Sequence, residues 1–169
     1  AIFNDGHLLA AVEEERFTRI KHTAGFPTNA VRYCLQAANI PLSAVDHVVI
    51  PRKRSAQLFR KALWAARFPK FAFGRANAWR RFGRIQDALA EAADTNRVDV
   101  DTKINFVEHH VAHAASAFFC SPFKDAAVLS LDGLGDFASA LWGTGADQNM
   151  EVGGRVLFPH SLGLYYTAL

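Results

Sequence analysis

Short apolar runs alternate along the chain with stretches in which apolar residues recur every three or four positions. The short runs predict strands, because they are bounded by turn-forming residues; they lie at 2–3, 7–12, 45–50, 104–107, 126–131, 137–142 and 152–158. The helical spacing covers 28–38, 109–119 and the stretch from Ser161 onward. Strands that alternate with helices, with hairpins between them, predict an α/β domain with a mixed sheet.

The beginning of the chain has the clearest local signals. Asn4-Asp5-Gly6 predicts a tight hairpin turn, because these residue types tolerate a positive φ angle. A helix that begins at Pro27 or Thr28 and ends before Pro41 is predicted next. Its apolar face is formed by Ala30, Val31, Cys34, Leu35 and Ala38.

A basic segment follows the third predicted strand. From Arg52 to Arg84 there are eleven basic residues and no acidic one, so that removing them from the net charge of +3 leaves −8 for the rest. Residues 52–92 predict two helices outside the sheet, with a break at 69–74 and a second helix over 78–90. Such an insertion packs on the domain or meets a membrane surface or a partner. The alternative is RNA binding through the interleaved aromatic residues Trp64, Phe68, Phe71, Phe73, Trp79 and Phe82.

Composition narrows the class of protein. The chain has 169 residues, half of them hydrophobic, as in a globular core. No apolar run reaches the roughly 20 residues of a membrane span, and no signal peptide is recognisable, so we expect a cytoplasmic protein. Cys34 and Cys120 are expected to be buried free thiols. The first residue is not Met, and both ends fall within predicted elements, so we expect a fragment of a longer protein.

A histidine cluster is the first candidate for chemistry. His109 and His113 are four residues apart in a predicted helix, which puts both rings on one face with their Cβ atoms about 5–6 Å apart. That spacing suits a shared metal ion, although a helix with polar histidines on its surface would give the same pattern. His110 points in another direction and is the weaker candidate.

An aspartate in a glycine-rich stretch is the second candidate. Asp132 ends a predicted buried strand and begins the tight loop Asp132–Asp136, which contains Gly133 and Gly135. Its carboxylate could join two histidines in a site for Fe(II) or Zn(II). The glycines could let backbone N–H groups approach phosphate oxygens, or they could simply form a hairpin turn.

A densely charged stretch, 13–22, is the third candidate. It is either a solvated turn or a source of Arg and Lys side chains for anionic groups of a substrate. The residue types alone leave both interpretations open.

Four stretches together resemble the carbamoyltransferase family typified by the nodulation protein NodU, the cephalosporin enzyme CmcH and the tobramycin enzyme TobZ. They are DGHLLAAVEEERFTRIKHTAGFP, EHHVAHAASAFFCSPF, AAVLSLDGLGD and FPHSLGLYYTAL, in the family's order and over nearly the whole chain. The resemblance implies a partial N-terminal domain over 1–169 with the fold of actin, sugar kinases and Hsp70, and a YrdC-like domain beyond Leu169. The C-terminal domain would make carbamoyladenylate from carbamoyl phosphate and ATP, and the front domain would pass the carbamoyl group to a hydroxyl of a small molecule.

The resemblance also implies roles for individual residues. His109, His113 and Asp132 match the family's metal ligands, with Fe(II) expected and Zn(II) as the alternative. Gly133 and Gly135 match the place where the nucleotide phosphates pass, and Lys21 matches a basic residue of the carbamoyl-nucleotide site. The catalytic acid–base residues are expected upstream of Ala1, and a further acidic metal ligand beyond Leu169.

Two other function classes stay open at this point. One is the related transferase that makes threonylcarbamoyladenosine in tRNA, although nucleic acid is not the expected partner. The other is a metal-binding or interaction module without catalytic activity. Sugar, aminoglycoside, cephem and lipo-oligosaccharide hydroxyls are all candidate acceptors, and a homodimer is compatible with the sequence.

Overall fold

The computed structural model describes residues 1–21, 25–69, 85–94 and 104–168. The chain divides into two compact units. The first comprises Ala1–Val48 and Phe68–Ile104, and the second Val49–Arg67 and Asn105–Leu169.

A hairpin opens the first unit. Strands β1 (Ile2–Asn4) and β2 (His7–Ala10) pair antiparallel, and Asn4 lies opposite His7. The two residues between them have φ angles of 47° at Asp5 and 80° at Gly6, so the predicted turn is confirmed.

Two helices and a small core follow in the first unit. Helix α1 (Glu15–Thr18) lies inside the charged stretch and was not predicted, whereas α2 (Thr28–Ala38) was predicted. The Glu14 carboxylate accepts hydrogen bonds from the backbone N–H groups of Asn29 and Ala30, and so caps α2. The core of this unit is formed by Leu42, which belongs to the 3₁₀ turn Leu42–Ala44, and by Leu89 and Ala90 of α4 (Ile85–Ala92). The partly buried apolar residues that pack against this core are Phe26, Val31, Leu35, Val45, Val48, Ala93 and Ile104.

A two-stranded sheet is formed by β3 (Val48–Ile50) and β4 (Ile104–Phe106), the strands on which the chain passes from one unit to the other. The predicted strand over 45–50 is therefore shorter than expected.

The second unit is built on one antiparallel sheet. Strands β5 (Asp125–Gly135), β6 (Ala138–Ala146) and β7 (Asn149–Leu157) lie in sequence order. Helix α5 (His109–Phe118) packs on this sheet, with Ala114 and Phe118 against Val128 and Leu141. Helix α6 (Leu162–Ala168) contacts β5.

Three predictions are corrected by these elements. The single mixed sheet is not found among the described residues: they form three small sheets, and two-residue turns such as Asp136-Phe137 make neighbouring strands antiparallel. The predicted loop Asp132–Asp136 is mostly strand, because β5 continues through an irregularity between Leu131 and Gly135. Cys34 is buried as expected, but Cys120 is exposed, since α5 ends at Phe118.

The described parts of the segment 52–92 contain helices and no strand. Helix α3 (Leu58–Arg67) belongs to the second unit and α4 to the first, and 52–69 and 85–92 contain no strand. Within the second unit Trp64 packs edge-on against Phe158, with 4.8 Å between ring centroids. Residues 70–84 lie outside the described part of the chain. They include most of the predicted break at 69–74, the first part of the predicted helix over 78–90, and the aromatic residues Phe71, Phe73, Trp79 and Phe82.

None of the helices in the described ranges combines the length and the apolar character needed to cross a bilayer.

Candidate metal centre

Helix α5 and strand β5 bring the three predicted ligands together. His109 is the first residue of α5, and His113 lies one turn later on the same face, with 4.5 Å between the ring centroids. Asp132 belongs to the irregular part of β5, on which α5 packs. Bulged strand segments commonly redirect side chains beside functional sites.

Three ligand atoms form a compact triangle. Nε2 of His109 lies 2.7 Å from Oδ2 of Asp132 and 3.1 Å from Nε2 of His113, and the last two atoms are 3.9 Å apart. A triangle with these sides has a circumscribed circle of radius about 2.0 Å, which equals the metal–nitrogen and metal–oxygen bond lengths of about 2.0–2.2 Å. One metal ion could therefore lie within bonding distance of all three atoms.

The donor set and its exposure also fit a catalytic metal. Two imidazoles and one carboxylate suit Zn(II) or Fe(II). The side chains of His109, Asp132 and His113 are 27%, 42% and 55% exposed, so the site is open to solvent on one side. Three protein ligands with open positions are the arrangement that lets substrate or water reach a metal.

Two hydrogen bonds lower the pKa of the Asp132 carboxyl. The bond from His109 lowers the pKa of the Asp132 carboxyl most, and the Gly133 N–H, 2.6 Å from Oδ1, lowers it further. Partial burial acts in the opposite direction but is outweighed. A carboxylate that stays ionised is the form that a cation binds.

The neighbours of His109 fix its position. The amide N–H of His109 donates to Oδ2 of Asp136 at 2.9 Å. Gly135 lies against the ring of His109, because a Cβ atom at this residue would fall 2.7 Å from Nε2 and nearer still to the ring carbons. A physical role of Gly135 is therefore to leave room for the histidine.

An ion pair fixes the residue before His109. Arg155 of β7 binds Glu108 through two hydrogen bonds, Nε to Oε1 at 2.6 Å and Nη2 to Oε2 at 2.8 Å. The Glu108 side chain is only 13% exposed, so both carboxylate oxygens are held in a partly buried place.

His110 belongs to the interior, in line with the prediction that it points away from the metal ligands. It is fully buried, with Nδ1 2.8 Å from the Ser130 hydroxyl and Nε2 3.0 Å from the Ala138 carbonyl oxygen. Since that carbonyl can only accept, we assign the proton to Nε2 and the acceptor role to Nδ1. Burial lowers the pKa of His110, which keeps the ring neutral.

The start of helix α6 and the residue before it pack against the main chain of Asp132 and Gly133. The Ser161 hydroxyl lies 3.2 Å from the carbonyl oxygen of Asp132 and 2.7 Å from that of Gly133. At Gly163 an added Cβ would lie 2.6 Å from main-chain atoms of the same two residues, so only glycine allows this approach. At Gly133 itself an added Cβ would meet nothing nearer than Leu164, at 4.0 Å.

The structure brings most of the predicted site residues together in one unit. His109, His113, Asp132, Gly133 and Gly135 all lie in the second unit, whereas Lys21 is an exposed residue of the first unit, after α1. Its role in a nucleotide site, like that of the two glycines, stays a prediction. Asp136, the Glu108–Arg155 pair and Gly163 were not predicted to serve the site; the sequence offered no signal for them, since their contacts depend on how α5 and α6 pack on the sheet.

Known proteins resemble this chain over nearly its whole length. The family model described as the carbamoyltransferase N-terminus matches residues 1–169. An uncharacterized protein of Synechocystis is 40% identical over 178 residues, which cover 99% of this chain and 29% of that protein. The nodulation protein NolNO of Sinorhizobium fredii is 35% identical over 171 residues, which cover 98% of this chain and 23% of that protein. An uncharacterized protein of Methanocaldococcus jannaschii is 26% identical over 162 residues, 96% of this chain and 25% of that protein.

The chain spans less than a third of the length of each of these relatives. The family match nevertheless covers every residue, and it includes the helix and the strand that carry the three candidate ligands. This chain belongs to the carbamoyltransferase N-terminus family.

Proposed function

We propose that the protein transfers a carbamoyl group from carbamoyladenylate, made from carbamoyl phosphate and ATP, to a hydroxyl group of a small molecule. We further propose that His109, His113 and Asp132 hold a divalent metal, Fe(II) or Zn(II), at the transfer site. The observation that carries this proposal is the triangle of three ligand atoms, whose size fits one metal ion. Membership of the carbamoyltransferase family supports the reaction class.

The transfer itself needs few groups. The acceptor oxygen attacks the carbamoyl carbon, the bond from that carbon to the phosphate oxygen breaks, and AMP leaves while the hydroxyl proton passes to a base. A bound divalent cation would neutralise charge on the phosphate and polarise the donor. We assign no base to the described residues.

The residues of this chain contribute orientation and charge. Asp132, ionised and hydrogen-bonded, supplies the negative charge that a cation needs. Gly133 has no side chain to block a phosphate oxygen, which would approach beside the main chain while the Gly133 N–H stays bound to Asp132. Lys21, an exposed cation, is the proposed contact for the carbamoyl nucleotide.

Metal binding is the first test. The intact protein is purified without added metal, and Fe(II), Zn(II) and Co(II) are titrated by calorimetry, with metal content measured after dialysis. We expect one ion per chain, and its loss in His109→Ala, His113→Ala and Asp132→Asn. Asp125→Asn is the matched control, because Asp125 is an exposed residue at the start of the same strand. Equal binding by the wild-type protein and all three site variants would contradict the metal site.

Carbamoyl transfer is the second test. The intact protein is incubated with carbamoyl phosphate, ATP, metal and a panel of sugar, aminoglycoside, cephem and lipo-oligosaccharide acceptors, and AMP and carbamoylated product are measured. We expect product that depends on metal and on Asp132. Metal binding with neither AMP nor product would favour a module without catalytic activity, and product on tRNA alone would favour the tRNA-modifying alternative.

A further inference from the structure

We propose that Asp136 is a positioning residue, which holds the metal ligand His109 in place by binding its backbone N–H. This inference rests on the proposed metal site and adds to it a residue outside the set of ligands.

The first turn of α5 needs a cap that its own sequence does not supply. The first N–H groups of a helix have no partner within the helix, and the residue before it normally provides one with a short polar side chain. Here that residue is Glu108, which makes no side-chain cap hydrogen bond, because Arg155 binds both of its carboxylate oxygens. Asp136, 27 residues after His109 in the chain, provides the cap instead.

The Asp136 carboxylate is itself well fixed. The same oxygen, Oδ2, also accepts a hydrogen bond from the backbone N–H of Lys53 at 2.7 Å. Asp136 has a φ of 51° in the two-residue turn between β5 and β6, a left-handed conformation that aspartate, asparagine and glycine adopt more readily than other residues. The turn thus aims the carboxylate at the start of α5.

The position of the His109 backbone determines that of its ring. Metal–ligand distances tolerate deviations of about 0.2 Å, so a small shift of the first helical turn moves Nε2 out of bonding distance. Substitution of residues that hold metal ligands typically costs about 10–100-fold in metal affinity. We expect the removal of the Asp136 cap to have an effect in this range.

Two substitutions at one residue separate the hydrogen bond from the turn. Asp136→Gly keeps the left-handed conformation but removes the acceptor, whereas Asp136→Asn keeps both the conformation and an acceptor oxygen. The matched control is Asp147→Gly, since Asp147 has a φ of 49° in the next hairpin turn of the same sheet. Each variant of the intact protein is titrated with Co(II), whose visible d–d absorption reports both affinity and coordination geometry.

We expect Asp136→Gly to bind Co(II) about 10–100-fold more weakly and with an altered absorption spectrum. Asp136→Asn and Asp147→Gly should resemble the wild-type protein. Wild-type affinity in Asp136→Gly, or an equal loss in Asp136→Asn, would overturn the proposal. Where the glycine variant does not fold, a loss of Co(II) affinity in Asp136→Asn still overturns the proposal. Failure of the wild-type protein to bind Co(II) would instead refute the proposed metal site itself.

Discussion

Substitution of Gly135 by alanine should weaken metal binding at the proposed site about 100-fold or more without unfolding the protein. Gly135 does not have a positive φ, so alanine causes no strain in the backbone there. The added methyl group, however, would overlap the imidazole of His109. The obstacle is a side chain that is 27% exposed, so the ring can swing outwards while β5 and α5 keep their places.

The size of the effect follows from the distances. The methyl carbon would lie 2.7 Å from Nε2, whereas an ordinary contact begins at about 3.4 Å, so Nε2 must move by about 0.7 Å or more. That exceeds the ~0.2 Å tolerance of a metal–ligand bond more than threefold. Substitution of residues that support a metal ligand costs up to about 100-fold in metal affinity. Loss of the ligand itself should cost at least as much, which corresponds to roughly 2.7 kcal/mol of binding free energy.

The assay compares two glycines of the same strand. Metal affinity of Gly135→Ala and Gly133→Ala is measured by calorimetry, and folding is followed by urea denaturation of the metal-free proteins. Gly133→Ala should bind metal normally, because its Cβ would meet only Leu164, at 4.0 Å. If Gly133 admits a phosphate, this variant should lose nucleotide affinity instead. Wild-type metal affinity in Gly135→Ala would refute the steric argument.

Three further predictions concern the supports of the site. Burial lowers the pKa of His110 below 6.5, so the unfolded chain binds more protons than the folded protein. The free energy of unfolding should therefore fall as the pH drops below about 6.5. Urea denaturation between pH 8 and 5 should show a smaller fall in His110→Gln than in the wild-type protein. Arg155→Met should lower the free energy of unfolding by about 3 kcal/mol, because it leaves the Glu108 carboxylate partly buried without its ion pair, and a double variant with Glu108→Gln should recover part of the loss in the same assay. Gly163→Ala should lower both the urea midpoint of unfolding and the metal affinity, because its Cβ would meet main-chain atoms of β5, which cannot move aside as a side chain can. Gly153→Ala is the control and should have a smaller effect, because its Cβ would meet the Trp142 side chain at 3.2 Å. Equal effects of the two substitutions would contradict this reasoning.

Local signals in the sequence were sufficient for part of the fold and of the site. The spacing of His109 and His113 places them on one face of a helix whatever the helix packs against, and the Asp5-Gly6 turn depends only on residues that tolerate positive φ. The irregular part of β5 was not predicted, because Asp132 and the glycines after it are typical of a turn, whereas the pairing with β6 resumes at Gly135. The position of Asp132 at the end of a predicted strand made it a candidate ligand but could not fix its distance from the histidines, since that distance depends on how α5 lies on the sheet.

The two histidines differ in how firmly the protein holds them. The first turn of α5 is tethered at three successive residues: Glu108 to β7, His109 to the turn between β5 and β6, and His110 to β5 and β6. His113 is more than half exposed, and its Nε2 lies 3.1 Å from Nε2 of His109 and 3.9 Å from Oδ2 of Asp132. A side chain that is already fixed loses little conformational entropy when it binds a ligand, whereas a mobile one loses up to about 2 kcal/mol. In the proposed metal site, His109 and Asp132 would therefore be the preorganised ligands, and His113 would be the ligand that adjusts to an ion.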